Sequence, residues 1–141
     1  MAKKNIIEFD YDWDFTLIGI VSTARDYQLC WQLNRLLDID LKKQKDLELN
    51  LKKKNKLVEF CHFRFDDEMD KCEYHILGNK FMGENLVPEY RMMDYFLLMK
   101  GNNSSDRKKE VMSRMKTLLA LTAVIDVVAE ELKSRDNLIL E

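Results

Sequence analysis

From Glu8 to Phe15 acidic and aromatic residues alternate strictly, with Glu8, Asp10, Asp12 and Asp14 set against Phe9, Tyr11, Trp13 and Phe15. A period of two gives an extended segment with one aromatic and one acidic face. It runs into Leu17, Ile18, Ile20 and Val21, which predict a well-buried first strand, with Gly19 admitting the close approach of another backbone. The period then lengthens. Leu29, Cys30, Leu33, Leu36 and Leu37 share one face of a helix over 23–37, opened by Thr23 and Asp26 at the spacing of a capping-box variant. Trp31 lies off that apolar arc.

Leu47, Leu49 and Leu51 alternate with Glu48 and Asn50, the mark of a half-buried strand, and the lysine-rich tip 52–56 turns the chain. A second hairpin follows, with arms 57–65 and 72–77 around the acidic loop 66–71. Closing Phe65 against Cys72 pairs Phe63 with Tyr74 and Cys61 with Ile76 on a buried face. The same register pairs Arg64 with Glu73 and His62 with His75 on a partly exposed face.

Beyond a loop holding Pro88, the run 92–99 predicts a strand interrupted by Asp94. A break at 101–105 precedes a second helix from about Asp106, with Val111, Met112, Met115, Leu118 and Leu119 on one stripe. Val124, Ile125, Val127 and Val128 favour a closing strand, because β-branched side chains lose rotamer freedom in helices. The alternative is that 121–132 prolongs the helix. The order β-α-β-β-β-β-α-β predicts an α+β fold, an antiparallel sheet with two helices packed on one face. With no repeat, linker or low-complexity segment, residues 1–141 read as a single domain.

Composition narrows the function classes. The chain is 46% apolar and 34% charged, a globular balance. Its 4 glycines leave no glycine-rich phosphate loop, and its net charge of −2 gives no whole-domain attraction to nucleic acid or anionic lipid. Three cysteines, Cys30, Cys61 and Cys72, form an odd set without CxxC spacing and fit a reducing cytoplasm. The first residues lack an adequate apolar signal region, and no stretch reaches the roughly 20 apolar residues of a membrane span.

The stretch Val87-Pro88-Glu89-Tyr90-Arg91-Met92-Met93-Asp94-Tyr95 resembles the signature that names the IPExxxVDY family, a bacterial family of unknown function. Pro88, Glu89, Asp94 and Tyr95 match its fixed positions; Val87 stands where the name has Ile and Met93 where it has Val. Similarity extends to the segment 14–20, to Asp26-Tyr27 and to the closing 132–140. The resemblance implies no reaction.

The remaining candidates are weighed on their chemistry. A carboxylate among the apolar neighbours of Asp94 needs donors, so Glu89 and Asp94 are expected to clasp the Pro88 loop against the sheet, and no residue is assigned a catalytic role. Two histidines beside Arg64 fall short of the three or four ligands of a zinc site, so neither metal nor cofactor is expected. The lysines at 42, 43, 45, 52, 53, 54 and 56 gather positive charge, with Lys52, Lys53 and Lys54 as the candidate phosphate contacts. They lack interleaved aromatics for base stacking, which argues against nucleic acid. Phe9, Tyr11, Trp13 and Trp31 are the candidate interface. The expectation is a non-enzymatic interaction or regulatory module, a homodimer with an unidentified protein partner and no membrane. The alternatives are a small-ligand domain of ferredoxin-like or ACT-like character binding near Gly19 and the first helix, or a nucleic-acid-binding protein.

Overall fold

The apolar run predicted as the first strand forms β1, Phe15–Ser22. The computed structural model describes residues 15–101 and 104–138, so Phe9, Tyr11 and Trp13 lie outside the described residues. After β1 come α1 (Asp26–Leu37), β2 (Lys42–Lys43), β3 (Leu47–Leu51), β4 (Lys56–Phe60), β5 (His62–Asp67) and β6 (Cys72–Gly78). The chain continues through β7 (Lys80–Phe81), β8 (Glu84–Asn85), a 3₁₀ turn Pro88–Tyr90, β9 (Tyr95–Gly101), α2 (Ser104–Met115) and β10 (Leu121–Val127). Two further 3₁₀ turns, Ala129–Glu131 and Arg135–Leu138, follow β10.

One six-stranded sheet runs in the order β10-β1-β9-β6-β5-β2, with every neighbouring pair antiparallel. Four contiguous strands, β1, β6, β9 and β10 numbered 1 to 4 in chain order, stand as 4-1-3-2, with α1 between the first two in sequence and α2 between the last two. That is the split β-α-β, or ferredoxin-like, arrangement. The predicted α+β class therefore holds, although β3–β4 and β7–β8 form two separate two-stranded ribbons and not part of one sheet.

Both helices cover one face. Ile18, Ile20, Ile76, Leu97 and Met99 of the sheet pack with Leu29, Cys30 and Leu33 of α1 and Val111 and Met115 of α2. On the other face Leu17, Leu77, Phe96, Leu98 and Val127 meet Val58 and Phe60 of β4, Leu86 and Val87 of the signature loop, and Leu132 and Leu138. Each such side chain contributes roughly 1.5–3 kcal/mol by leaving water. Burial on both faces explains why Phe96-Leu97-Leu98-Met99 is an unbroken apolar run.

Several local expectations are corrected. Helix α1 starts at Asp26, and its first turn is closed by the Arg25 N–H donating to Gln28 Oε1 at 3.0 Å, not by a Thr23–Asp26 box. The predicted arm 57–65 is split at Cys61, which passes the chain from the ribbon to the main sheet. The Gly78 N–H donates to the Cys61 carbonyl at 3.0 Å, and a Cβ on Gly78 would stand 2.8 Å from the Cys61 sulfur. The β5–β6 register is two residues off the predicted one, pairing Phe63 with Ile76, Phe65 with Tyr74 and Arg64 with His75. Asp66 and Asp67 stay in the strand, and the turn is tightened by Asp67 Oδ1 accepting from the Asp70 N–H at 3.2 Å and by Lys71 at φ 52°. Because the slip is even, the faces are kept: Phe63, Tyr74 and Ile76 are buried on the helix side. Strand β9 begins at Tyr95, after Met92 and Asp94, and β10 is a strand and not an extension of α2. Gly19 is approached by a side chain and not by backbone, since a Cβ there would lie 2.7 Å from Met93 Sδ.

Ribbon β7–β8 turns through Met82 and Gly83, both at positive φ (46° and 85°), the geometry of a two-residue type I′ turn. Methionine is strained there, whereas asparagine tolerates it. Met82→Asn is expected to raise stability by about 0.5–1 kcal/mol in chemical denaturation, and an unchanged or lower midpoint would refute this account of the turn.

Candidate functional site

Asn79 organises the signature loop. Its side chain is 0% exposed, and its Nδ2 donates to the carbonyls of Tyr90 and Met93, each at 2.9 Å. Its Oδ1 accepts from the Val87 N–H at 2.8 Å. Its backbone N–H donates to the Asp94 carbonyl, and its carbonyl accepts from the Leu86 N–H and from Asn85 Nδ2. On this base Pro88 opens a 3₁₀ turn, extended Val87 preceding it as a residue before proline must be.

The two signature carboxylates serve different segments. Asp94 Oδ2 accepts from the Ser22 N–H at 2.9 Å and Oδ1 pairs with Lys80 Nζ at 3.0 Å, tying the end of β1 to the start of β9. Glu89 reaches away from the sheet, accepting from the Lys133 and Ser134 N–H groups and, at 2.7 Å, from the Ser134 hydroxyl. Burial pushes its carboxyl up, but the Ser134 and Lys133 hydrogen bonds outweigh that and hold it below the ordinary carboxylate value. Tyr95 donates its hydroxyl hydrogen to the Ala24 carbonyl at 2.8 Å, and burial keeps the phenol protonated.

Asp94 and Tyr95 also border a cleft of about 660 Å³ beside the start of α1, together with Ser22, Arg25, Asp26, Cys61 and Lys80. The groups best placed to hold a small polar ligand are already engaged with one another: Asp94 with Ser22 and Lys80, Tyr95 with Ala24, and Ser22 Oγ donating to the Ala120 carbonyl while accepting from the Ala24 N–H. Among the described residues the cysteine thiols are not activated. Burial pushes the Cys61 thiol up to about 11 and Cys30 higher still, so both stay protonated at neutral pH, where only a thiolate attacks.

His62 and His75 meet diagonally across β5–β6, not as direct cross-strand partners, and His75 is only 1% exposed where a partly exposed pair was expected. His75 Nε2 lies 3.1 Å from Glu73 Oε1 and its Nδ1 lies 2.9 Å from His62 Nε2. A carboxylate accepts only, so the His75 proton sits on Nε2 and His62 donates to Nδ1. Burial lowers the pKa of both rings, that of His62 to about 4. Among the described residues no group of three or more His, Cys, Asp or Glu gathers to hold a metal ion.

Four of the seven lysines of the patch are matched by carboxylates. Lys42 pairs with Asp40, Lys43 with Asp46, and Lys54 and Lys56 both with Glu84, at 2.8–3.6 Å. Lys52 and Lys53 stand with Lys54 in a 3₁₀ turn between β3 and β4, with Lys53 exposed.

Helix α1 presents a different surface. With Leu29, Cys30 and Leu33 buried, Tyr27 and Trp31 stand 57% and 59% exposed one turn apart. The Arg35 guanidinium lies 4.8 Å from the centre of the Trp31 ring, continuing the stripe. Trp31, Gln32, Arg35 and Leu36 bound a groove of about 360 Å³ with Leu118, beside the fully exposed Leu119. Other exposed apolar residues, such as Leu57, Met69, Met82 and Met92, are dispersed over separate elements. Sequence periodicity singled out Trp31 but missed Tyr27 and Arg35, whose only signal is their i, i+4 spacing from it. It also missed Asn79, which reads as an ordinary turn residue beside Gly78.

Neither a protein-family model nor a curated protein matches this sequence. No helix among the described residues is long and apolar enough to cross a membrane.

Two predictions follow from this geometry. Asn79→Ala strips partners from three backbone groups and is expected to cost about 3–5 kcal/mol, against about 1–3 kcal/mol for Asp94→Ala, whose site is partly solvated. Denaturation curves that rank the two the other way would refute the hub role of Asn79. The histidine pair makes stability fall in acid. Its folded pKa values lie below the unfolded value of 6.5, so the unfolded chain binds protons first and stability drains as pH drops from 6.5 toward 4. His62→Gln, which preserves a donor to His75, is expected to recover about 1–2 kcal/mol of the loss between pH 7 and 4.5, the shift being discounted for partial solvation. Equal acid sensitivity of variant and wild type would exclude His62 as a source.

Proposed function

We propose that this domain is a non-catalytic interaction module that docks a partner on the outer face of α1. The observation that carries the reading is the exposure of Trp31, packed on one side only and flanked by Tyr27, Arg35 and the Leu118 groove. Tryptophan, tyrosine and arginine are the side chains that most often anchor interfaces, because each combines large contact area with a polar handle. The quiet chemistry of the interior supports the same reading: thiols held protonated, histidines held neutral and carboxylates engaged by donors.

The second reading is a small polar ligand in the cleft at the start of α1. Its volume favours that reading, and the mutual satisfaction of Ser22, Asp94, Tyr95 and Lys80 weighs against it. Pairing of Lys42, Lys43, Lys54 and Lys56 with carboxylates weighs against a nucleic-acid role. Three free cysteines support a reducing, cytoplasmic setting. We also propose membership of the IPExxxVDY family, on the sequence match at Pro88, Glu89, Asp94 and Tyr95 alone.

The test is affinity capture from native cells with the full chain and a Trp31→Ala variant of equal melting temperature. A species held by wild type should be retained about 30-fold less by the variant, the loss expected of a hot-spot tryptophan. Retention of every species by the variant at wild-type levels would overturn the proposal.

A further inference from the structure

We infer that two copies of this chain join edge to edge through β10, their six-stranded sheets continuing across a two-fold axis at Ile125. The inference does not rest on the α1 face. Among the described residues β10 pairs only with β1, so its outer edge carries backbone groups without a sheet partner. Which groups these are follows from β1. The Ile20 carbonyl accepts from the Asp94 N–H at 2.8 Å and the Ser22 N–H donates to Asp94 Oδ2 at 2.9 Å, so the even residues of β1 turn their backbone toward β9. Successive residues of an antiparallel strand bond to opposite sides. Leu17, Gly19 and Val21 therefore bond β10 at their partners Val127, Ile125 and Ala123, and the N–H and C=O groups of Val124 and Asp126 point outward.

A row of free main-chain donors and acceptors is satisfied by another strand, and the side chains decide whether one is admitted. The opposite edge refuses one, since β2 is two residues long and both are lysine. Strand β10 has no lysine, arginine or proline, and its one charged residue, Asp126, is already paired with Lys108 of α2. The irregularity in its pairing falls at Val21–Ser22 and leaves 123–127 regular. Ile125, at the centre of that stretch, is 36% exposed and shares the sheet face of buried Val127, away from the helices.

The register identifies the occupant. In a two-fold contact the same patch must complement itself, residue i meeting residue j and residue j meeting residue i. An axis normal to the sheet at Ile125 sets the two strands antiparallel and keeps both helix layers on one side. Val124 then meets Asp126 of the partner subunit, and Asp126 meets Val124 of the partner subunit. Every outward N–H and C=O of the regular stretch gains a partner, and none is left over. Ile125 meets Ile125 of the partner subunit as a non-hydrogen-bonded pair, the closer of the two kinds, so each covers the other's exposed side chain. Each Asp126 faces a valine and keeps its own Lys108, whereas an axis one residue further on would oppose the two carboxylates.

The experiment measures the solution mass of the full chain by light scattering and sedimentation up to about 500 µM, enough to populate a dimer with Kd near about 100 µM. The expected result is twice 16.8 kDa. Ile125→Lys sets two like charges at the axis and should weaken the dimer at least about tenfold, while Trp31→Ala, on the helix layer, should dimerise as wild type does. Amide hydrogen exchange of the wild-type chain gives a second readout that needs no variant. The Val124 and Asp126 amides should exchange about fourfold more slowly at about 500 µM than at about 5 µM, the ratio of total to monomeric chain at that Kd. The Ala123, Ile125 and Val127 amides, bonded to β1, should be protected equally at both. A monomer throughout the concentration range overturns the inference. So does a dimer that survives Ile125→Lys, one lost in Trp31→Ala, or one whose Val124 and Asp126 amides exchange as they do in the monomer. None of these results bears on capture of a different protein through Trp31, so the two proposals fail separately.

Discussion

The fold depends on a single buried amide. The segment 79–94 links β6 to β9 with only the short β7–β8 ribbon and one 3₁₀ turn of its own, yet Leu86, Val87 and Met93 in it are buried. Backbone groups carried into such a place lose water and must find partners. Asn79 supplies them: two side-chain donations, one acceptance, and further bonds from its own backbone. No hydroxyl or carboxylate could replace it, because the site needs an N–H pair and a carbonyl on one short, planar group. Once the loop is fixed, Leu86 accepts from Asn137 Nδ2 at 2.9 Å and Glu89 grips 133–134, so the closing segment is seated through the same loop.

Sequence periodicity recovered whatever was governed by a repeating face. Strand β1, helix α1 and strand β10 follow from runs in which burial and spacing agree, and the antiparallel sheet with two helices on one face follows from their order. Periodicity failed where a single contact decided the outcome. The β5–β6 register turned on whether Asp66 and Asp67 were strand or loop, and their acidity suggested loop; the ion pair from Arg64 to Asp66 at 2.7 Å helps hold Asp66 in the strand instead. The split at Cys61 is invisible because both halves have strand chemistry, and what separates them is the packing of a thiol against Gly78. Asn79 has no signal in its neighbours at all.

Glu89 and Asp94 illustrate how far chemistry alone could go. Apolar neighbours required that their carboxylates meet donors, and they do, but the identity of the donors depends on the fold. Asp94 meets the last N–H of β1, 72 residues away, and Glu89 meets a turn 45 residues away. Neither pairing has any local correlate in the sequence, and neither leaves a carboxylate free to act on a substrate.

Where the free surface lies is itself a consequence of the insertions. A split β-α-β core with both helices on one face would leave the other face of its sheet open. Here β4, the signature loop and the turns after β10 cover that face, using Val58, Phe60, Leu86, Val87, Leu132 and Leu138. The sheet therefore cannot present an apolar surface through its middle. At one edge the two-residue β2 consists of lysines, which discourage strand pairing. At the other, β10 carries an irregularity opposite Val21 and Ser22, confined to the start of the strand. Among the described residues, the outside of the helix layer carries two large aromatic side chains one turn apart and open to solvent. Tyr27 and Trp31 lie there.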